Sequence, residues 1–210
     1  MRLHQPFAEV AAADHETFGP GQTVRDPRPG DFILTHGEAW TSRLIRFGQR
    51  LRYHGADAKY ARWNHAAMFI NEAGDLVEAL GGGVQERNVS VYEGTEYTVV
   101  RIQKVVGGDG DREEVVDFAE WSRGQPYGFL AILSISIGLI FGGSLTFAFD
   151  GQSICSGLVA RALERTKAIF NREPSQIMPA DLAKYFRVEP PAASVPKGVV
   201  PPRHALVVSP

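Results

Sequence analysis

Gln152-Ser153-Ile154-Cys155-Ser156-Gly157-Leu158-Val159-Ala160-Arg161-Ala162-Leu163 holds the one cysteine of a 210-residue chain, and the fold is read outward from it. From Ile154 onward Leu158, Val159, Ala162 and Leu163 recur at helical spacing, which predicts an amphipathic helix buried along one side with Cys155 in its first turn. Gly151, Gln152 and Ser153 give it a polar lead-in. At a helix start the backbone N–H groups lack intrahelical acceptors and the dipole is positive, so a thiol there ionises more readily. Against this stands the ordinary use of a free cysteine as a small buried hydrophobe. A catalytic reading therefore needs a base elsewhere in the chain.

Residues 64–80 offer one. Asn64-His65-Ala66-Ala67-Met68-Phe69-Ile70 is an apolar strand, Asn71-Glu72-Ala73-Gly74-Asp75 a turn with glycine where positive φ is convenient, and Leu76-Val77-Glu78-Ala79-Leu80 an antiparallel return. A tight turn sets His65 and Glu78 roughly opposite each other, within reach for a carboxylate to orient an imidazole. Taken singly, a histidine at a strand start is a structural hydrogen-bonding residue and a strand glutamate an exposed one.

The remaining elements follow from punctuation and period. Residues 1–28 form an N-terminal arm ending in Asp26-Pro27-Arg28-Pro29-Gly30. Asp31 to Thr35 is a short strand, and Trp40, Leu44, Ile45 and Phe47 continue as a helix with Arg43, Arg46 and Arg50 on its polar side, a stripe that suits either solvent or an anionic ligand. Residues 51–62 read as a polar loop, and Gly81-Gly82-Gly83 as a hairpin turn, since a nucleotide-binding loop would also need a lysine and a serine or threonine. Tyr97 to Ile102 is a strand, Glu113 to Trp121 a helix, and Met178 to Phe186 a short helix. The uncharged run 129–149 is broken by Ser134, Gly138, Gly142 and Gly143, so a buried helix followed by a loop is expected there. That run is also where a membrane or lipid contact would form. Residues 187–210 are a proline-containing tail.

Composition narrows the class. Hydrophobic residues make up 44% of the chain, enough for a full core, and the net charge of -2 with no long single-sign run argues against nucleic acid as a partner. A single cysteine excludes an internal disulfide, and the opening residues lack the apolar core of a signal peptide, so a reducing, cytoplasmic setting is expected.

Three stretches taken together resemble one family. Gly30-Asp31-Phe32-Ile33 with Trp40-Thr41-Ser42-Arg43-Leu44-Ile45, then Asn64-His65-Ala66-Ala67-Met68 with Leu76-Val77-Glu78-Ala79, then Ile154 to Ala160 with Met178-Pro179-Ala180-Asp181-Leu182 resemble the YiiX-like group of circularly permuted NlpC-type cysteine peptidases. The resemblance covers about residues 29–186, the expected catalytic domain. It implies an α+β, permuted papain-like fold in which a small antiparallel sheet or barrel packs on the nucleophile helix, with the histidine strand ahead of the cysteine in the chain. It implies Cys155 as nucleophile, His65 as base and Glu78 as the orienting residue, with no cofactor and no metal. The family often carries an acidic residue after the tyrosine of its Pro-Tyr element, whereas here Gly128 follows Tyr127. For the oxyanion, the backbone N–H of Cys155 is the first candidate and Tyr127 or Gln152 the second, with Asn64 a further substrate-binding candidate. The expected activity is cleavage of an amide in a peptide, a cell-wall stem peptide or an amino-acid amide. A thiol acyltransferase or lipase acting on a lipid-like substrate is the alternative, and a non-catalytic binding module of the same fold the third reading.

Overall fold

Phe32-Ile33-Leu34-Thr35 offers no charged side chain to solvent, and all four residues are buried in strand β2 (Phe32–Thr35), near the middle of a sheet. The computed structural model describes residues 13–36, 40–102, 109–126, 155–166 and 173–188, with the backbone alone described at 40–44, 109 and 175. Around β2 stand β1 (Asp14–Phe18), β3 (His65–Phe69), β4 (Asp75–Leu80), β5 (Gly83–Asn88) and β6 (Tyr97–Arg101). They form a six-stranded sheet in the order β1-β6-β2-β3-β4-β5, antiparallel throughout. With helices α1 (Trp40–Arg52), α2 (Asp109–Trp121), α3 (Cys155–Leu163) and α4 (Pro179–Tyr185), the described residues have an α+β architecture. Among the described residues no helix is long and apolar enough to cross a membrane.

Side chains alternate across a strand, and here both faces are covered, so the central strands are near-continuous apolar runs. Phe32, Leu34, Ala66, Met68, Val77, Ala79 and Val100 face one core, shared with Leu158, Val159, Leu163 and Leu182 of the helices. Ile33, Ala67, Phe69, Leu76 and Val99 face a second core, closed by Phe18, Val24 and Val89. Each fully buried Leu, Ile or Phe contributes roughly 1.5–3 kcal/mol relative to exposure. Small residues on both sides, Ala66 and Ala79 on the sheet and Gly157 and Ala160 on α3, let the cysteine helix lie close on β3 and β4.

The helix is buried more completely than an amphipathic pattern predicts: eight of its nine residues are buried, with Arg161 the exception. Sheet, α2 and α4 surround it, so the apolar stripe along one side understates how much of its surface is covered. Two other expectations change. Part of the N-terminal arm is an edge strand, β1, paired with β6 in the register Thr17↔Thr98 and joined there by a hydroxyl–hydroxyl bond of 2.8 Å. Within the expected loop at 51–62, α1 runs to Arg52 and a 3-10 helix occupies Gly55–Arg62.

Three buried polar residues lock the layers. Gln49 donates from Nε2 to the carbonyls of Ala61 (3.1 Å) and Trp63 (2.7 Å) and accepts the Ala180 N–H at 2.9 Å, tying α1, the 3-10 helix and α4. Asp181 accepts the Met178 N–H at 2.8 Å, Arg52 at 2.6 Å and the Tyr53 hydroxyl at 2.5 Å, so one carboxylate holds a helix start and a neighbouring helix end. Asp31 takes the Ile102 N–H at 3.0 Å together with Arg101 and Arg112, both at 3.2 Å. An unpartnered polar group at such depth costs about 1–3 kcal/mol, which is why each of these is bonded more than once.

Candidate active site

The turn expected at residues 71–75 is built by side chains. Asn71 Oδ1 accepts the N–H groups of Ala73 and Asp75 at 3.0 Å each, and Gly74 sits at φ +86°. Asn88, at the end of β5, donates to the Ala73 carbonyl at 3.0 Å and to Asp75 at 2.9 Å, while its own Oδ1 caps the next turn through the Ser90 N–H at 3.1 Å. That capped 3-10 turn, Val89–Tyr92, brings Tyr92 beside the hairpin.

Within the hairpin the register is Met68↔Val77 and Phe69↔Leu76. Continued, it sets Glu78 opposite Ala67, so His65 and Glu78, expected roughly opposite each other, are diagonal neighbours on one face. A diagonal pair lies within reach of long side chains. The imidazole Nε2 donates to Glu78 Oε2 at 2.5 Å. Tyr92 donates its hydroxyl to the same oxygen and stacks on the imidazole, with ring centroids 6.1 Å apart and planes 30° apart. Glu78 is wholly buried; its Oε1 has no hydrogen bond among the described residues and lies 3.5 Å from the half-exposed Arg87 guanidinium.

Cys155 arrives from the other layer. Its thiol is buried beside the His65 imidazole, with the backbone N–H groups of Ala66 and Ser156 also turned toward it. With Nε2 turned to Glu78, Nδ1 is the imidazole nitrogen left for the sulfur. Burial pushes the thiol up, but the imidazole beside it and the two N–H groups prevail and hold Cys155 below the ordinary thiol value. Burial likewise opposes a charged imidazole, yet the thiolate, and after it Glu78, raise His65 from 6.5 to about 10. Glu78 is held below its ordinary range: burial works against the charge, and His65, Tyr92 and Arg87 outweigh it. All three directions agree with a thiolate–imidazolium pair backed by a carboxylate.

Cys155, His65 and Glu78 are thus brought together. Asn64 is fully buried beside them, its backbone N–H on the Thr35 carbonyl at 3.1 Å. Tyr127, Gln152 and the run 129–149 lie outside the described residues. Sequence reasoning missed Tyr92 and Arg87, one from a single 3-10 turn and the other from an edge strand, where no periodicity marks a functional side chain.

No family model and no curated protein matches the chain. Among solved structures it is similar to the metalloprotein yiiX from Escherichia coli O157:H7, with 18% identity and a TM-score of 0.46; the match covers 66% of this chain and 66% of that one, so the chain spans just under two thirds of that protein's length. Among the described residues no three His, Cys, Asp or Glu side chains group as a metal site, and the Nε2 of His65 is taken up by Glu78.

Proposed function

We propose that the protein is a cysteine hydrolase that cleaves an amide bond through a covalent acyl-enzyme, on a permuted papain-like, NlpC-type arrangement with the base-bearing strand ahead of the nucleophile helix. The observation that carries this reading is the buried Cys155 thiol set beside an imidazole that Glu78 holds through Nε2, with the thiol held below and the imidazole above their ordinary values. A thiol that only filled space would gain nothing from an imidazole and a buried carboxylate behind it.

The Cys155 thiolate attacks the amide carbonyl carbon and forms a C–S bond. His65, as imidazolium, gives its proton to the leaving nitrogen as the C–N bond breaks, and a thioester remains. Water then loses a proton to His65 and attacks the thioester carbon; the C–S bond breaks, and the acid departs with thiolate and imidazolium restored. Glu78 holds the imidazole in one orientation throughout. The substrate class is a peptide, a cell-wall stem peptide or a related small amide.

The test is intact mass after brief incubation with amide and activated-ester libraries. An acyl adduct on the wild type that is absent from Cys155→Ala and falls about 10²–10⁴-fold in rate in His65→Ala supports the reading. Equal adduct formation by Cys155→Ala would refute it.

A further inference from the structure

We infer that Tyr92 is a positioning residue of this site: its hydroxyl fixes Glu78 Oε2 against His65 Nε2, and its ring closes the carboxylate–imidazole hydrogen bond off from water. The inference rests on the proposed hydrolase site and adds a residue to it.

Glu78 Oε2 accepts two donors, Tyr92 and His65, while among the described residues Oε1 accepts none, so the carboxylate is aimed by one oxygen. The Tyr92 ring lies along the imidazole at 6.1 Å and 30°, and Glu78 beneath is fully buried. The turn that bears Tyr92 is pinned by Asn88 through Ser90 N–H, and Val89 N–H donates to the Gly74 carbonyl at 2.8 Å, so the ring is held by the hairpin that also carries His65 and Glu78. Among the described residues the charged and titratable groups facing this bond are His65 from β3, Arg87 from β5, Tyr92 itself and Cys155 from α3.

Two variants separate hydroxyl from ring. In Tyr92→Phe a buried carboxylate loses a donor, so it protonates at higher pH and ceases to support the imidazolium sooner. In Tyr92→Leu water also reaches the pair and screens it.

The experiment is the rate of Cys155 alkylation by iodoacetamide against pH, with circular dichroism as the check on folding. A wild-type acid limb below the ordinary thiol value is expected. Tyr92→Phe should raise that limb by about one pH unit and leave the alkaline behaviour in place, and Tyr92→Leu should raise the acid limb and bring His65 deprotonation to lower pH. A folded Tyr92→Phe with the wild-type profile overturns the inference while the site stands; should Tyr92→Leu fail to fold, the Tyr92→Phe profile by itself decides the matter. An ordinary thiol midpoint in the wild type overturns the hydrolase site itself, and the inference with it.

Discussion

Removing Cys155 should change the titration of His65 more than removing the charge of Glu78. In the folded protein burial pulls His65 down from 6.5, yet its neighbours raise it to about 10, so the two anions together supply more than the visible difference. The thiolate is the larger contributor and the carboxylate the smaller. An opposite charge in contact is worth about 1–3 pH units. Cys155→Ala, with Glu78 left in place, is therefore expected to lower the His65 midpoint by about 2 pH units, equivalent to about 3 kcal/mol of coupling. Glu78→Gln keeps an acceptor on Nε2 but loses the charge, and should lower it by about 1. The assay is an NMR titration of protein labelled at histidine Cε1, with the His65 signal among six histidines assigned from its loss in His65→Gln. A larger drop in Glu78→Gln than in Cys155→Ala would refute the ordering, and a wild-type midpoint near 6.5 would refute the ion pair.

Gln49→Leu keeps the volume but leaves the Ala61 and Trp63 carbonyls and the Ala180 N–H without their partner, and should cost about 3–5 kcal/mol in urea unfolding. Gly83→Ala sets a Cβ 2.9 Å from the Gln125 carbonyl oxygen at φ +117°, where neither backbone can yield, so a loss of about 2–3 kcal/mol is expected from the same measurement. Glu78 has its pKa lowered by folding, so its contribution to stability is present above 4.5 and is lost as pH falls through its lower folded value. Urea midpoints measured down to low pH should show that acid loss in the wild type and less of it in Glu78→Gln.

The hairpin at 64–80 is legible in sequence because Asn71 and Gly74 announce its turn and β-structure fills both arms. Its register is less so: shifting the pairing by a residue or two preserves the apolar runs, because both faces are buried and no polar alternation marks one as outside. The strand Asp14-His15-Glu16-Thr17-Phe18 is hidden for the converse reason. It lies at the sheet edge with four of five residues exposed, and pairing with β6 rather than burial holds it. Cys155, His65 and Glu78 stand out as residue types with chemistry of their own, whereas Tyr92 becomes visible only when the Asn88-capped turn folds back over the hairpin.

Among the described residues all six strands lie between Asp14 and Arg101, and His65, Glu78, Arg87 and Tyr92 all belong to β3 and the elements just after it, while the thiol follows far downstream. A chain made from its N-terminus therefore has these six strands, and with them the imidazole and its carboxylate, outside the ribosome before Cys155 emerges. The sulfur is the last of these groups to be synthesised. Its pKa is lowered when its helix docks on β3 and β4, so the nascent chain carries an ordinary thiol until the surroundings that ionise it have assembled.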